Sequence, residues 1–400
     1  MHALGIDLFS EQYWNHHAEV EDALRERGAA HRAVLPNGVP TWVVTGYEAA
    51  RAALANPLLS KDSALVHRVM TEGMARAGHR GAQLSEMFHG MLFSDPPEHK
   101  RLRDLVVRHF TPKRIAAMRP RIEQISTDLL ASFRPDTPID LVAQYAFAFP
   151  VTVICELMGV PLADREPFRA WTTDLMEDHP AVVGPANDAM RDYFTQLIAV
   201  KRREPGNDLL SALVNAGAET GGLTDDEILG ICFLVFVAGH ETSTNLIGNA
   251  AHAALRHNAW TTLAADPLLV PGAIRETLRI DSPVRMATHR VTTEPTTIGD
   301  TTIPQHEVVL VCLGAANRDP ARFPRPTDFD IHRQDAPDLA FGHGIHYCLG
   351  SALGRLEAEV ALTHLTGCFP NTRLAEQGRP DRRRSVITNG FSRLLVTPHR

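Results

Sequence analysis

The chain has 400 residues, with 40 Lys or Arg against 47 Asp or Glu, and a formal net charge of −7. This charge gives no reason to expect a nucleic acid or an anionic membrane as the main partner. No Ser/Gly-rich tract, long charge block or internal repeat interrupts the sequence after about residue 10, so we expect residues 1–400 to form a single domain.

Neither the start nor the interior of the sequence indicates a membrane or secretory protein. The start, MHALGIDLFSEQYW, lacks the basic segment and apolar run of a signal peptide. The apolar stretch Ile228 to Ala238 is shorter than the roughly 20 residues that cross a bilayer. We therefore expect a cytoplasmic protein. The cysteines are scattered without a C-x-x-C pair, which argues against a disulfide framework and a structural zinc site: Cys155, Cys232, Cys312, Cys348 and Cys368.

Helical patterns dominate, and strand signals are few and short. The patterns predict, in chain order, a hairpin over 33–44 with its turn at Asn37-Gly38, helices over 48–55, 100–109 and 121–133, a long helix from Thr224 to about His257, strands over 296–313 around Gly299-Asp300, and a helix over 353–365. The fold class that follows is mainly α with a minor β region.

The long helix is the strongest single element. Thr224 and Glu227 have the spacing of a capping box, and thirty-odd residues at about 1.5 Å each give roughly 50 Å of helix. Its first half is apolar on nearly every face, as in a helix at the centre of a core.

One cysteine has an unusual context. Residues 341–350, FGHGIHYCLG, place Cys348 just before the last predicted helix. The glycines let the backbone turn tightly around the sulfur, and a helix N-terminus or a metal favours the thiolate. A buried structural cysteine is the ordinary alternative. The whole pattern F-G-x-G-x-H-x-C-x-G resembles the haem-binding loop of the cytochrome P450 family. The resemblance implies the P450 fold, haem b as cofactor and Cys348 as the axial ligand of its iron.

A second motif lies in the middle of the long helix, in residues 238–244, AGHETST. Small residues leave space there, and a Thr hydroxyl can bond the carbonyl one turn back and open a niche. Glu241 is costly to bury unless it is paired, hydrated or protonated, which suggests a proton route; a polar kink is the structural alternative. A zinc site is excluded because the second His of H-E-x-x-H is missing. The segment resembles the family's oxygen-activation motif, which implies catalytic roles for Thr242 and Glu241.

The remaining motifs are a scaffold and a set of cations. Glu276-Thr277-Leu278-Arg279 has the i,i+3 spacing of an ordinary surface pair. The resemblance implies a buried structural trio with Arg333. It also implies that four cations bind the haem propionates, with a plain surface salt bridge as the less favoured alternative for each: His99, Arg103, Arg290 and His346.

Substrate-binding residues are predicted only by their placement relative to these motifs. Arg285 is a further candidate, for a polar or aromatic contact, with exposure to solvent as an equal alternative. Met and Phe at such spacing are more often simple core than pocket lining. The apolar candidates are Met87, Met91, Leu92, Val235, Ala238, Met286, Ala287 and Phe391.

The resemblance implies a monooxygenase that activates O2 and hydroxylates a small apolar molecule, in this branch a bacterial secondary metabolite. No flavin or nicotinamide domain is evident in the sequence, so electrons are expected from an external ferredoxin and its reductase. Cations that suit an acidic ferredoxin are Lys100, Lys113, Arg114, Arg322 and Arg355. We expect a monomer that binds neither nucleic acid nor membrane. Oxidative cyclisation, C–C or C–N coupling and peroxide-driven chemistry stay open, as do a non-catalytic haem sensor and a cysteine hydrolase.

Overall fold

The computed structural model describes residues 9–79, 90–175, 180–215, 222–334, 337–376, 378 and 380–400. Helices account for 56% of the residues and strands for 10%, which confirms the mainly α class. The α-helices of the described ranges are α1 Glu11–Asn15, α2 His17–Arg27, α3 Tyr47–Ala55, α4 Ser63–Arg76, α5 Glu98–Val107, α6 Pro112–Ala117, α7 Arg119–Leu130, α8 Ala148–Met158, α9 Arg165–Leu175, α10 Pro180–Arg203, α11 Leu209–Asn215, α12 Asp225–Arg256, α13 Trp260–Ala265, α14 Val270–Ile280, α15 Leu313–Ala316 and α16 Ser351–Cys368.

The strands are short, and five of those described pair within one mixed sheet. They are β1 Ala30–Val34, β2 Pro40–Val44, β3 Leu59–Ser60, β4 Ile139–Asp140, β5 Arg290–Thr292, β6 Thr296–Ile298, β7 Thr301–Ile303, β8 Val308–Val311, β9 Arg373–Leu374 and β10 Leu395–Thr397. The main sheet has the order β1-β2-β8-β5-β3, with β2 and β8 parallel and the other neighbours antiparallel. Both predicted hairpins are confirmed, as β1–β2 and β6–β7.

The two faces of the main sheet are both buried, and the residues of β2 and β8 alternate between them. Val43 and Leu310 pack into one apolar cluster, whereas Val44 and Val311 pack into another. This explains why β8 is an unbroken apolar run, as is usual for a strand covered on both sides. A larger core surrounds α12.

Helix α12 confirms the sequence prediction closely. The Thr224 hydroxyl accepts a hydrogen bond from the Glu227 N–H at 3.2 Å, and the Glu227 carboxylate accepts from the Thr224 N–H at 2.7 Å. The helix packs against α8, α14 and α16. By length and composition alone its 32 residues could cross a membrane, but 67% of its most apolar window is buried inside the fold, as expected of a core helix.

The buried trio of charges also has the expected geometry. Both oxygens of the Glu276 carboxylate accept hydrogen bonds from Arg279, at 2.9 and 2.7 Å, and from Arg333, at 3.0 and 3.1 Å. Arg279 also donates to the carbonyls of Asn317, at 3.0 Å, and Pro326, at 2.8 Å. The trio therefore fixes α14 to the irregular segment that precedes the cysteine loop.

Candidate functional site

The cysteine loop, residues 341–350, precedes α16. Gly342 and Gly344 have φ values of +73° and +74°, which L side chains rarely adopt. A Cβ on Gly344 would also lie 3.2 Å from the carbonyl oxygen of Leu54. The Cys348 N–H donates to the Phe341 carbonyl at 2.9 Å and closes the loop. The sulfur is therefore held just before the first turn of α16.

Two opposing effects act on the pKa of the Cys348 thiol. Burial raises it, and the Gly350 N–H group and the guanidinium groups of Arg103 and Arg355 lower it. A metal bound at the sulfur would add a positive charge that favours the thiolate.

Cys348 and the middle of α12 line one cavity of about 170 Å³. Thr242 and Ser243 line it on α12, and His346 lines it on the cysteine loop. The cavity joins the two strongest motifs of the sequence.

Two neighbouring side chains on α12 have the polar contacts that the proton-route hypothesis requires. The Thr242 hydroxyl donates to the Ala238 carbonyl one turn back, at 2.7 Å, as predicted. The Thr388 hydroxyl donates to Glu241 Oε1 at 2.8 Å, and the Thr388 and Ser385 oxygens lie 3.0 Å apart. Burial raises the pKa of the Glu241 carboxyl above its ordinary value, partly offset by the Thr388 hydrogen bond.

Of the four cations predicted to bind propionates, Arg290 and His346 line the same cavity, and His99 and Arg103 contact its cysteine loop. The His99 ring, on α5, has its centroid 4.2 Å from that of His346. Arg103 donates to the Tyr347 carbonyl at 2.6 Å. Arg290 is 4% exposed, and its buried Nε has no hydrogen-bond partner among the described residues. Burial lowers the pKa of all four groups.

Sequence reasoning missed Lys61, which is only 2% exposed and lines the cavity beside Arg290. Its neighbours in the sequence, Leu59-Ser60 and Asp62, contain no motif that marks a buried lysine. Burial and the nearby Arg290 hold the pKa of its ammonium group well below the ordinary value.

Glu357 of α16 was also missed. Its carboxyl is fully buried and accepts a hydrogen bond from the Ser243 hydroxyl, so it fastens α16 to α12. Burial raises the pKa of Glu357 to about 8. The sequence LGRLEAEVAL places this Glu on a helix but does not show that it faces another helix.

The substrate-pocket candidates divide into three groups. Leu92 and Ala287 line the cavity, and Ala238 is exposed on α12. Met87 lies outside the described residues. Four others are buried in apolar clusters and do not line that cavity in the described part of the chain: Met91, Val235, Met286 and Phe391.

Two of the candidates have specific contacts that explain their positions. Phe391 packs between the His252 ring, at 4.7 Å, and the Arg382 guanidinium, at 4.3 Å. Arg285 is 5% exposed, faces neither cavity nor solvent, and binds Glu21 at 3.4 Å and the Asn389 side chain at 2.5 Å. These contacts are structural.

Comparison with known proteins decides the family. The family model "Cytochrome P450" matches residues 254–370. Cytochrome P450 107B1 of Saccharopolyspora erythraea is 43% identical over 397 residues, which cover 98% of this chain and 96% of the relative. The chain belongs to the cytochrome P450 family. The P450 monooxygenase PikC of Streptomyces venezuelae is 43% identical over 93% of this chain and 87% of its own. The structure of the P450 monooxygenase TamI bound to tirandamycin C superposes with a TM-score of 0.90 at 42% identity, covering 98% of this chain and 99% of TamI.

This P450 is a haem-dependent monooxygenase that acts on a small molecule with electrons from redox partners, which confirms those expectations. The described residues fit haem. The two haem propionates are carboxylates, and the cluster of cations at the cavity matches their negative charge. The cluster also offers them hydrogen-bond donors, such as the buried Arg290 Nε, which has no partner among the described residues. The Cys348 sulfur in the same cavity suits iron.

Proposed function

We propose that Cys348 is the axial thiolate of the haem iron, and that this P450 hydroxylates an apolar bacterial secondary metabolite. The observation that supports this best is the single cavity that Cys348 shares with Thr242. In the sequence the two residues are more than a hundred positions apart, so the fold alone brings them together.

The axial ligand is tested by the absorption spectrum of the reduced, CO-bound protein. Cys348→Ser should lose the strongly red-shifted band of a thiolate-ligated haem, because the hydroxyl is a far weaker anionic donor. Cys368→Ser is the matched control, since Cys368 is exposed at the end of α16, the helix that follows Cys348. A band that survives in Cys348→Ser, or is lost only in Cys368→Ser, would contradict the assignment.

Bound haem supplies the oxygen activation and the oxidation of the substrate carbon. We assign proton transfer to Glu241 and Thr242. The Thr242 hydroxyl lines the cavity and can hold a proton beside the oxygen niche. The Glu241 carboxyl, whose Oε1 accepts from Thr388, can take up and release a proton next to it. Ser385, hydrogen-bonded to Thr388, extends the row of hydroxyl groups away from the cavity.

The proton role is tested by coupling, the product formed per electron consumed. Thr242→Ala should lower the coupling and release peroxide, because the hydroxyl no longer directs the proton. Thr244→Ala is the matched control: its hydroxyl donates to the His240 carbonyl at 2.8 Å in the same way, but it does not line the cavity. Equal coupling in wild type and Thr242→Ala would remove Thr242 from the mechanism.

The substrate class rests on relatives and on the cavity. The relatives include a polyketide biosynthesis P450 of Bacillus subtilis, 34% identical over 93% of this chain, and the structure of TamI has tirandamycin C bound. Apolar lining residues such as Leu92, Leu246 and Ala287 suit a polyketide-like ligand. A screen of such compounds for a change in haem spin state tests this, and product analysis then separates hydroxylation from cyclisation or coupling. A compound set that leaves the spin state unchanged would contradict the class.

We propose an acidic ferredoxin, reduced by its reductase, as the electron donor. The Arg355 guanidinium lies 4.4 Å from the centre of the Phe341 ring in the cysteine loop, which places this charge near the sulfur. Lys113 is exposed on α6, which packs against α16, the helix of Arg355. Charge reversal at Lys113 and Arg355 should slow reduction by ferredoxin and weaken its salt dependence. Arg134→Glu, at an exposed arginine outside this set, is the control. Unchanged reduction would exclude the docking site.

Finally, we infer a monomeric, cytoplasmic protein whose residues 1–400 form one domain. Helix α12 supports the single domain, since it packs against helices from both halves of the chain, α8 and α16. Size-exclusion chromatography with light scattering tests the oligomeric state, and a dimer at micromolar concentration would contradict it.

A further inference from the structure

Lys61 is the feature of the cavity that neither the motifs nor the proposed roles explain. It directly follows β3, is 2% exposed, and its Nζ atom hydrogen-bonds to the Thr288 hydroxyl. The ammonium group also lies 5.1 Å from the centre of the Phe93 ring. A buried ammonium group is expensive unless an anion pairs with it.

The charges around Lys61 do not balance. Lys61 and Arg290 line the cavity, and Arg103 donates to the Tyr347 carbonyl of the cysteine loop. The charges of Lys61 and Arg103 act on both His99 and His346. Asp95 is the carboxylate that acts on Lys61, and its oxygens accept from the Ser60 hydroxyl, at 2.5 Å, and from the Lys61 N–H, at 3.0 Å.

Asp104 of α5, whose charge acts on His99, is ion-paired with Lys100. When Lys61 is protonated, three cations among these described groups therefore face one carboxylate. The excess of two positive charges equals the charge of two propionates. Without Lys61, the excess would be one charge too small.

We propose that Lys61 binds a haem propionate through its ammonium group, as a fifth member of the cation cluster formed by His99, Arg103, Arg290 and His346. This inference deepens the proposed function and rests on its haem site. The bound carboxylate would restore the pKa of Lys61, which burial and Arg290 depress. Thr288 accepts one ammonium hydrogen and leaves the others for the propionate.

The alternative ligand is a carboxylate on the substrate. The position of Lys61 favours the propionate, because its charge acts directly on His99, His346 and His289. The part of the lining that suits the substrate is instead apolar and includes Leu92 and Leu246.

Haem release from the intact holoprotein tests the proposal. Transfer of haem to an excess of an apo-globin is measured for wild type, Lys61→Met and Arg134→Met. Lys61→Met should release haem at least about tenfold faster, equivalent to about 1.4 kcal/mol, because a charge-assisted hydrogen bond is lost. Arg134→Met is the control, since Arg134 is an exposed cation that does not line the cavity, and should release haem at the wild-type rate. Lys61→Arg, which keeps the charge, should lie between wild type and Lys61→Met.

Reconstitution with haem dimethyl ester separates the propionate from packing. The esters carry no charge, so wild type and Lys61→Met should then release haem at equal rates. A difference that persists with the ester would overturn the proposal in favour of a packing role. Should Lys61→Met fail to yield holoprotein, the same comparison is made with Lys61→Gln and Lys61→Arg.

Two further outcomes are informative. Haem release at the wild-type rate in Lys61→Met, together with weakened binding of myristic acid as a carboxylate probe, would overturn the proposal in favour of a substrate carboxylate. The CO-bound spectrum is recorded in parallel. If wild type shows no red-shifted band, the assignment of Cys348 as axial ligand is refuted. The order of the haem-release rates still tests Lys61 separately.

Discussion

Replacing Glu276 with Gln should destabilise this P450 strongly, because it leaves two buried guanidinium groups without their carboxylate. The side chains of Glu276 and Arg279 are 2% and 3% exposed, and that of Arg333 is 7% exposed. Removal of one partner from a buried ion pair costs about 3–5 kcal/mol. Gln keeps one acceptor oxygen, so we expect about 3 kcal/mol, at the lower end.

The measurement is urea unfolding of the holoproteins, with the free-energy difference taken from the shift of the midpoint and a shared slope. Glu123→Gln is the control: Glu123 pairs with Arg119 at 3.6 Å, and both side chains are more than 40% exposed, so the loss should stay below about 0.5 kcal/mol. A loss in Glu276→Gln no larger than in Glu123→Gln would refute the structural role of the trio.

Two further predictions concern stability. Burial lowers the pKa of His240 to about 4. Between pH 7 and pH 5 the unfolded chain protonates this histidine and the folded protein does not. The free energy of unfolding should therefore fall by about 2 kcal/mol more in wild type than in His240→Gln over this range. Parallel pH profiles of the unfolding free energy in the two proteins would contradict this. Gly272→Ala should cost at least about 2 kcal/mol, because its Cβ would lie 2.1 Å from the Ile331 carbonyl oxygen. Gly367→Ala, near the end of α16 where the added Cβ would meet no described atom beyond its own turns of helix within 4 Å, should instead stabilise by up to about 1 kcal/mol, and thermal unfolding that ranks the two in the opposite order would reject the argument.

The elements that the sequence predicted are those specified by neighbouring residues. The capping box at Thr224 and Glu227 marks the start of α12, and the Asn37-Gly38 turn fixes the first hairpin. The cysteine loop is equally local, since its glycines supply the left-handed backbone that the turn requires. Hydrogen bonds three or four residues apart and backbone conformational preferences decide such features.

The residues that line the cavity were harder to predict from the sequence. Met286 and Phe391 are apolar residues at plausible positions, yet both pack into the interior rather than line the cavity. Apolar side chains gain by burial on any side of an element, so their pattern does not tell which void they border.

Only the tertiary structure decided which distant groups meet. Lys61 reaches the cavity beside Arg290 because β3 pairs with β5, and Glu357 meets Ser243 because α16 packs on α12. From the sequence alone, both side chains would be taken for ordinary charged residues at the surface. Their burial, and the demand for a partner that burial creates, arises from the pairing of segments more than a hundred residues apart, for which no local pattern exists.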